Sequence, residues 1–258
     1  MNYTEAVKQL IWNLRLDFDP VGIRYIMEAS EIEHLPITHK PKAKLTFCQF
    51  LAASRQAHYA LFMAPSGCLC ENAEPVFGFR ELQQKADTQR HMKYLCDANL
   101  AWQAVQQKAQ LPLGKCKGKF IAPLAVFDKA DVAPSIVFVM CFPFQAYHLL
   151  NDYMGATRKP NLSFFHTPNS SVCSGSVWAY NNHTANLTTM CAGSKTSGKS
   201  EMAYMNLFIP GDQFLPTVEQ QVKRCDETGG PSLLGKGGQP WPGLDACKSC
   251  PLFRFEEV

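Results

Sequence analysis

The sequence predicts an α+β domain in which a mixed β-sheet is flanked by helices, and an irregular tail after it. Helical and strand-like patterns alternate along residues 1–222 without an internal repeat. Apolar residues make up 46% of the chain and charged residues only 18%, which favours a large buried core. After position 222 the chain becomes rich in glycine and proline, so residues 223–258 are predicted to form a tail that packs back on the domain.

The first half of the predicted domain alternates helices with short strands. Apolar residues recur at helical spacing from Thr4 to Leu16, and a proline opens a short strand at 20–26. The charged stretch 28–42 is typical of a surface loop. Further helices are expected over 45–55, 80–94 and 98–110, the last capped by Asp97, with 58–63 either extending a helix or forming a strand.

The second half contains the clearest strands. The apolar runs 120–127 and 136–142 have strand length, and the second is rich in β-branched and aromatic residues. Pro143 suits the first turn of a helix over 143–150. The remaining expectations begin with a strand-like 162–166 and a small-residue segment over 171–180 that packs closely or cradles a ligand. A strand that leads into a glycine turn over 187–195, a last strand over 201–209 and a closing helix over 213–223 follow.

Charge and hydropathy exclude two classes of partner. The formal net charge of +3 is too small for a nucleic-acid-binding domain, and no basic stripe with interleaved aromatic residues is present. No apolar run reaches the roughly 20 residues that a membrane helix needs, so no membrane insertion is expected. The N-terminus has the pattern of an amphipathic helix instead of a signal peptide, which predicts a cytoplasmic protein.

Cysteine is the residue that points to chemistry. Eleven cysteines is a high, odd count for a reducing compartment, and it indicates metal, cofactor or redox chemistry. Cys247 and Cys250 have the spacing of two cysteines that bind one metal ion or one edge of an iron–sulfur cluster. Pro251 follows them, as a proline does in ferredoxin-type sequences. Cys225 would be the third ligand, and Cys68, Cys70 or Cys191 the fourth. Zinc, a redox thiol pair and unligated thiols remain alternatives.

A second set of thiols lies in turns, in small-residue segments or near a predicted helix start. Its members are Cys48, Cys68, Cys173 and Cys191, and whether they meet in space cannot be read from their spacing. Lys195 follows the last of them and could orient an anionic group. His148, near the start of a helix that follows a strand, is the histidine most worth watching. No Walker loop, nucleophile elbow or His-Glu-x-x-His motif is present, so no catalytic residue is assigned.

Several short blocks occur in the order seen in one known family. They are Asp17-Phe-Asp-Pro20-Val-Gly-Ile, Phe47-Cys48-Gln, Cys68 with Gly78, Pro143-x-x-Ala146-x-x-Leu-Leu, Ser171-x-Cys173, Cys191-x-Gly193 and Glu201-Met through Ile209-Pro210. Over residues 3–222 the chain resembles the domain-of-unknown-function 169 family of archaea and largely anaerobic bacteria. The resemblance implies that Cys48, Cys68, Cys173 and Cys191 occupy family positions. The usual Gly-x-Arg after the last cysteine is Gly193-Ser-Lys195 here.

These observations favour a metal- or cofactor-binding protein of anaerobic metabolism. An iron–sulfur cluster in electron transfer or cofactor handling is the leading interpretation, with a small molecule or a redox protein as partner. Low charge would also suit a homodimer interface. One alternative is a non-covalent haem or other tetrapyrrole, with His148, His166 or a thiolate as axial ligand, since no Cys-x-x-Cys-His motif is present. Another is a small-molecule-binding or dimeric interaction module whose thiols are idle.

Overall fold

The computed structural model of the chain describes residues 1–198 and 203–228. Its strands are β1 (Val21–Ile26), β2 (Leu61–Met63), β3 (Gly118–Pro123), β4 (Ile136–Cys141), β5 (Asn186–Thr188) and β6 (Met205–Pro210). Its helices are α1 (Tyr3–Leu14), α2 (Phe47–Ala57), α3 (Gln84–Leu95), α4 (Ala98–Gln106), α5 (Leu124–Phe127), α6 (Pro143–Thr157), α7 (Ser171–Asn182), α8 (Ala192–Ser197) and α9 (Gly211–Thr228). Short 3₁₀ turns lie at Ala29–His34 and Pro65–Gly67.

The six described strands form one sheet in the order β2-β3-β1-β4-β6-β5. Ile23 of β1 lies opposite both Ile121 of β3 and Ile136 of β4. The α+β class is confirmed, but the expected mixed sheet is not seen, because all five strand pairings are antiparallel. Parallel pairing is limited to two isolated bridges, His39 with Leu61 and Leu45 with Cys68.

Helices cover both faces of the sheet. On β4, Ile136, Phe138 and Met140 point to a core shared with α2 and α7. The alternate residues Val137, Val139 and Cys141 point to a second core shared with α1, α6 and α9. Burial on both faces explains why β4 is an uninterrupted apolar run. A strand with one solvent-exposed face would alternate apolar and polar residues.

Local signals placed most helix starts correctly. Asp97 caps α4 by accepting a hydrogen bond from the Leu100 amide at 2.7 Å, and Pro143 stands in the first turn of α6. Cys141 is fully buried, as expected of a core residue.

Two strand predictions need correction. The segment 162–166 forms no strand, because the Asn186 side chain accepts from the Phe165 amide at 2.8 Å and donates to its carbonyl at 3.2 Å. Those bonds satisfy the amide and the carbonyl of Phe165 without a strand partner. The predicted strand over 120–127 ends at Pro123, where the chain turns into α5. Within the residues that the structure describes, no helix has the length and apolar character to cross a bilayer.

Candidate functional site

Four cysteine side chains line a cavity of about 170 Å³ on the α2/α7 face of the sheet. They are Cys48, Cys70, Cys173 and Cys191, and they come from four separate segments of the chain. The walls are completed by the backbone or side chains of Thr46, Phe47, Asn72, Arg90, Lys93, Tyr94, Asn169, Ser170, Ala192 and Gly193. We call this the thiol cavity.

Helix α2 places Cys48 in its first turn. The Thr46 hydroxyl accepts from the Gln49 amide at 3.2 Å, and the Gln49 side chain accepts from the Thr46 amide at 2.8 Å. This reciprocal capping box fixes where the helix begins. Phe47 is fully buried against the core, so the adjacent Cys48 is held at the cavity wall with only 7% of its surface exposed.

The segment around Cys70 is held by two backbone hydrogen bonds to Leu45. Leu45 donates to the Gly67 carbonyl at 3.1 Å, and Leu69 donates to the Leu45 carbonyl at 2.9 Å. The same bonds keep the chain next to the start of α2. Cys70 lines the thiol cavity, whereas Cys68 is buried in the core and its thiol contacts the Cys70 carbonyl at 3.7 Å.

Helix α7 brings Cys173 to the cavity through a run of small residues. A β-carbon on Gly175 would lie 2.6 Å from the Thr188 methyl group, so glycine is what lets α7 approach β5 this closely. The Ser171 and Ser174 hydroxyls donate to the carbonyls of Thr189 at 2.9 Å and Ala109 at 3.2 Å. The small-residue segment therefore packs closely, as predicted, and forms a helix.

Cys191 immediately precedes α8, which packs against α2. A β-carbon on Gly198 would lie 2.9 Å from that of Cys48 and 2.7 Å from the Ser194 carbonyl. Gly198 thus permits the contact between α8 and α2. The Cys48 thiol is thereby placed near the Cys191 sulfur, where it can act as a donor to a Cys191 thiolate.

The thiols of the cavity differ sharply in acidity. The hydrogen bond from Cys48, together with those from Ser194 and Gly193, outweighs burial and lowers the pKa of Cys191 to about 5. The same bond and burial raise the pKa of Cys48 well above its usual range. Burial also raises the pKa of Cys173 and of Cys70. At neutral pH the cavity therefore holds one thiolate, Cys191, beside three protonated thiols.

Three basic side chains lie at or near the cavity. Lys108 is buried, donates to the Ser170 hydroxyl at 3.1 Å, and has its pKa lowered to about 8 by burial. Arg90 lies at the cavity wall, where it pairs with Asp87 at 3.0 Å and with Glu71. Lys93 lines the same wall. The cavity thus has two lysines and one ion-paired arginine near its sulfur atoms.

Other predicted site residues lie elsewhere in the fold. Lys195 lines a separate hollow that shares Cys191 with the thiol cavity. His148 on α6 and Cys225 on α9 are on the opposite face of the sheet. Burial and the Arg224 charge lower the pKa of His148 to about 4, so its ring is neutral at physiological pH. His166 is exposed. The predictions for Cys247 and Cys250 lie outside the described residues.

Sequence reasoning missed Lys108 and Arg90. Each is a lone basic residue in a polar stretch, where a solvated side chain is the usual outcome. Ser170 was also missed, although it directly precedes the small-residue run. Its φ of 61° and its hydrogen bond to the Asn72 carbonyl at 3.2 Å place the start of α7 at the cavity.

No single-ion metal site is preformed in the part of the chain that the structure describes. There, no three His, Cys, Asp or Glu side chains stand close enough to share one ion. A tetrahedral zinc site would need sulfurs about 2.3 Å from one centre. The thiol cavity is instead a space with sulfurs at its wall.

The comparisons with known proteins identify a family and no activity. The family model DUF169, described as "Uncharacterised ArCR", matches residues 9–220. No curated protein and no solved structure matches the chain. The matched range spans the whole sheet and all four cysteines of the thiol cavity. The chain therefore belongs to the DUF169 family.

Proposed function

We propose that this DUF169 protein binds an iron–sulfur cluster in the thiol cavity and uses it in electron transfer or cofactor handling. One observation carries the proposal. Of the nine cysteines in the described residues, all of them free, four from distant segments meet at one small cavity. Cysteine thiolates are the usual ligands of such clusters.

The dimensions of the cavity favour a cluster over zinc or haem. The four ligands of a cubane cluster bind different iron atoms, so their sulfurs stand farther apart than sulfurs that share one ion. No three ligating side chains among the described residues stand close enough to share one ion, so four thiols around an open space suit a cluster better than zinc. The volume of about 170 Å³ is also below the roughly 300–1,000 Å³ of pockets for drug-sized ligands, and a haem is at least that large.

The charges at the site favour an anionic group. Cys191 is already a thiolate at neutral pH and could bind metal without first losing a proton. Each further thiol that binds iron must release a proton and adds negative charge. Lys108 and Lys93 lie where they would offset that charge. This arrangement resembles the basic surroundings in which thiolates are stabilised generally.

A second candidate function is thiol–disulfide redox chemistry at Cys48 and Cys191. The proximity of these two thiols favours it. The Cys191 thiolate would attack a disulfide of a redox partner and release one partner thiolate, and Cys48, after losing its proton, would then displace the second partner thiolate to form the Cys48–Cys191 disulfide. The cluster and the disulfide exclude one another at the same sulfurs. A cytoplasmic location, a redox partner and a homodimer fit either candidate and form part of the proposal.

Anaerobic reconstitution tests the cluster directly. Protein purified without oxygen would be incubated with ferrous iron and sulfide, desalted, and analysed for iron, acid-labile sulfide and visible absorption. The expected result is a broad visible absorption with matched iron and sulfide. Serine variants of Cys48, Cys70, Cys173 and Cys191 should each lower cluster content or stability.

Three control variants locate the cluster. Cys96→Ser changes an exposed thiol outside the cavity and should bind as wild type does. Cys225→Ser should do the same, because α9 lies on the other face of the sheet. If Cys247→Ser with Cys250→Ser abolished binding while the four cavity variants retained it, the cluster would belong to the tail and the present assignment would be wrong. Reconstituted protein without iron or sulfide would also refute it.

A further inference from the structure

A basic segment arches over a second, larger cavity on the surface of the domain. Residues 40–44 run between two anchored points. His39 is bridged to Leu61 of the edge strand β2, and Leu45 is bridged to Cys68. Backbone hydrogen bonds from Thr38 to the Ala60 carbonyl at 2.9 Å and from Leu45 to the Gly67 carbonyl at 3.1 Å hold the two ends. We call residues 40–44 the lysine strap.

The cavity beneath the lysine strap has an apolar floor. Its volume is about 520 Å³, and Phe50 of α2 and Phe62 of β2 contribute rings to its lining. Ala64, Ser66 and Gly67 also line the cavity. The volume lies within the roughly 300–1,000 Å³ typical of sites for organic ligands. The floor could therefore cover the apolar part of a ligand of that size.

The strap makes this cavity strongly basic. Lys40, Lys42 and Lys44 all line it, together with His39. None of the cavity-lining residues is acidic, and none of the three lysines has an ion-pair partner among the residues described here. Three lysines within five residues, without an acidic residue in the cavity lining, favour an anion that carries several negative charges.

We infer that the cavity under the lysine strap binds an organic phosphate with an apolar or aromatic body, the class to which nucleotides belong. The lysines would contact the phosphates, since Lys binds phosphate as a point charge. The body would lie on Phe50 and Phe62. The site is separate from the thiol cavity, so it stands whether or not the domain carries a cluster.

Isothermal titration of the purified protein with ADP, pyrophosphate and adenosine tests the inference. ADP combines both parts of the proposed ligand, whereas pyrophosphate lacks the body and adenosine lacks the charge. ADP should therefore bind saturably and more tightly than either. The affinity should fall as salt is raised, because these charges are exposed and screened.

Charge-matched variants separate the strap from the overall charge of the protein. The triple variant Lys40→Gln, Lys42→Gln and Lys44→Gln should bind ADP about tenfold more weakly, because three exposed charge contacts are each worth about 0.5 kcal/mol. The control triple Lys8→Gln, Lys85→Gln and Lys129→Gln changes the net charge equally at exposed positions elsewhere. It should leave binding unchanged. Ser66→Trp would place an indole ring in the cavity lining and should also abolish binding.

Three results would overturn the inference. One is the absence of saturable ADP binding to the wild-type protein. Another is equal loss of affinity in both triple variants, which would indicate attraction to overall charge. The third is pyrophosphate binding as tightly as ADP, which would leave the apolar floor without a role. Circular dichroism on each variant confirms that a loss of binding is not a loss of fold.

Discussion

The hydrogen bond between Cys48 and Cys191 gives the sharpest test of the site geometry. The perturbation is Cys48→Ala, which removes the donor at a position near the start of α2 and keeps a helix-favouring residue there. The pKa of Cys191 is lowered to about 5 from an ordinary 9.0, and the bond from Cys48 is the largest cause. The variant should therefore make Cys191 a weaker acid.

The size of the change follows from the energy of one charge-assisted hydrogen bond. Such a bond contributes about 1.5–3 kcal/mol, and one pKa unit corresponds to about 1.4 kcal/mol, so the pKa of Cys191 should rise by about one to two units. The amides of Ser194 and Gly193 remain as donors and keep the pKa below its ordinary value. We expect a midpoint of about 6 to 7 in the variant.

The assay is the rate of iodoacetamide alkylation at Cys191 between pH 4 and pH 9, followed by peptide mass spectrometry. Only the thiolate reacts, so the rate reports its population. Cys173→Ala is the matched control, because it removes a neighbouring thiol that does not donate to Cys191, and it should leave the midpoint near that of wild type. A wild-type midpoint near that of a free thiol, or an equal shift in both variants, would refute the proposed hydrogen bond.

The same thiolate has a consequence for stability. A depressed pKa stabilises the folded state fully above the unfolded pKa, and that stabilisation is lost as the pH falls through the folded pKa. For Cys191 the window runs from about pH 9 down to about pH 5. The loss of the buried Cys48 side chain adds a destabilisation that does not depend on pH. The part of the difference in unfolding free energy that comes from Cys191 should be absent below about pH 5, grow as the pH rises to about 7, and then stay constant up to about pH 9.

Two further predictions concern packing and burial. Gly198→Ala should separate α8 from α2 and weaken cluster reconstitution. Gly67→Ala, whose β-carbon would meet no atom within 4 Å and which lies outside the thiol cavity, should not. Equal cluster loading in both variants would contradict the packing argument. Lys119 is fully buried over the Phe77 ring at 3.2 Å, and burial lowers its pKa to about 7. Lys119→Met should raise the free energy of unfolding by about 4 kcal/mol near pH 7.5. The gain should become progressively smaller as the pH rises toward 10.5. Denaturant titrations measure it, with Lys115→Met at an exposed position as the control. A gain that is independent of pH would show that the charge of Lys119 is not the cause.

Much of the fold could be predicted because its signals are local. The apolar spacing in α1, the capping box at Thr46, the Asp97 cap and the proline at the start of α6 all act within one or two turns of chain. The strand β4 was equally clear, because a short run of apolar residues rich in β-branched and aromatic side chains is typical of a strand buried on both faces. The expected strand at 162–166 failed because a distant side chain, that of Asn186, satisfies its backbone.

The candidate site could be predicted only in part. The turn and small-residue contexts singled out Cys48, Cys173 and Cys191, and all three reach the thiol cavity. Nothing in their spacing said that they would meet, nor that Cys70 would join them while Cys68 turned into the core. Lys108 and the lysine strap were not recognised, because a basic residue in a polar stretch usually lies in solvent.

The sequence by itself determined the α+β class, the positions of most helices and strands, and which cysteines were candidates for a site. Those properties depend on hydrophobic periodicity, helix caps and residue chemistry. The tertiary structure alone decided which thiols share a cavity. That choice follows from the packing of α2, α7 and α8 on one face of the sheet, with Gly175 and Gly198 allowing the close approach. It also placed Cys225 and His148 on the other face of the sheet, because α6 and α9 pack there. The spacing of residues along the chain does not predict that these two residues lie away from the thiol cavity.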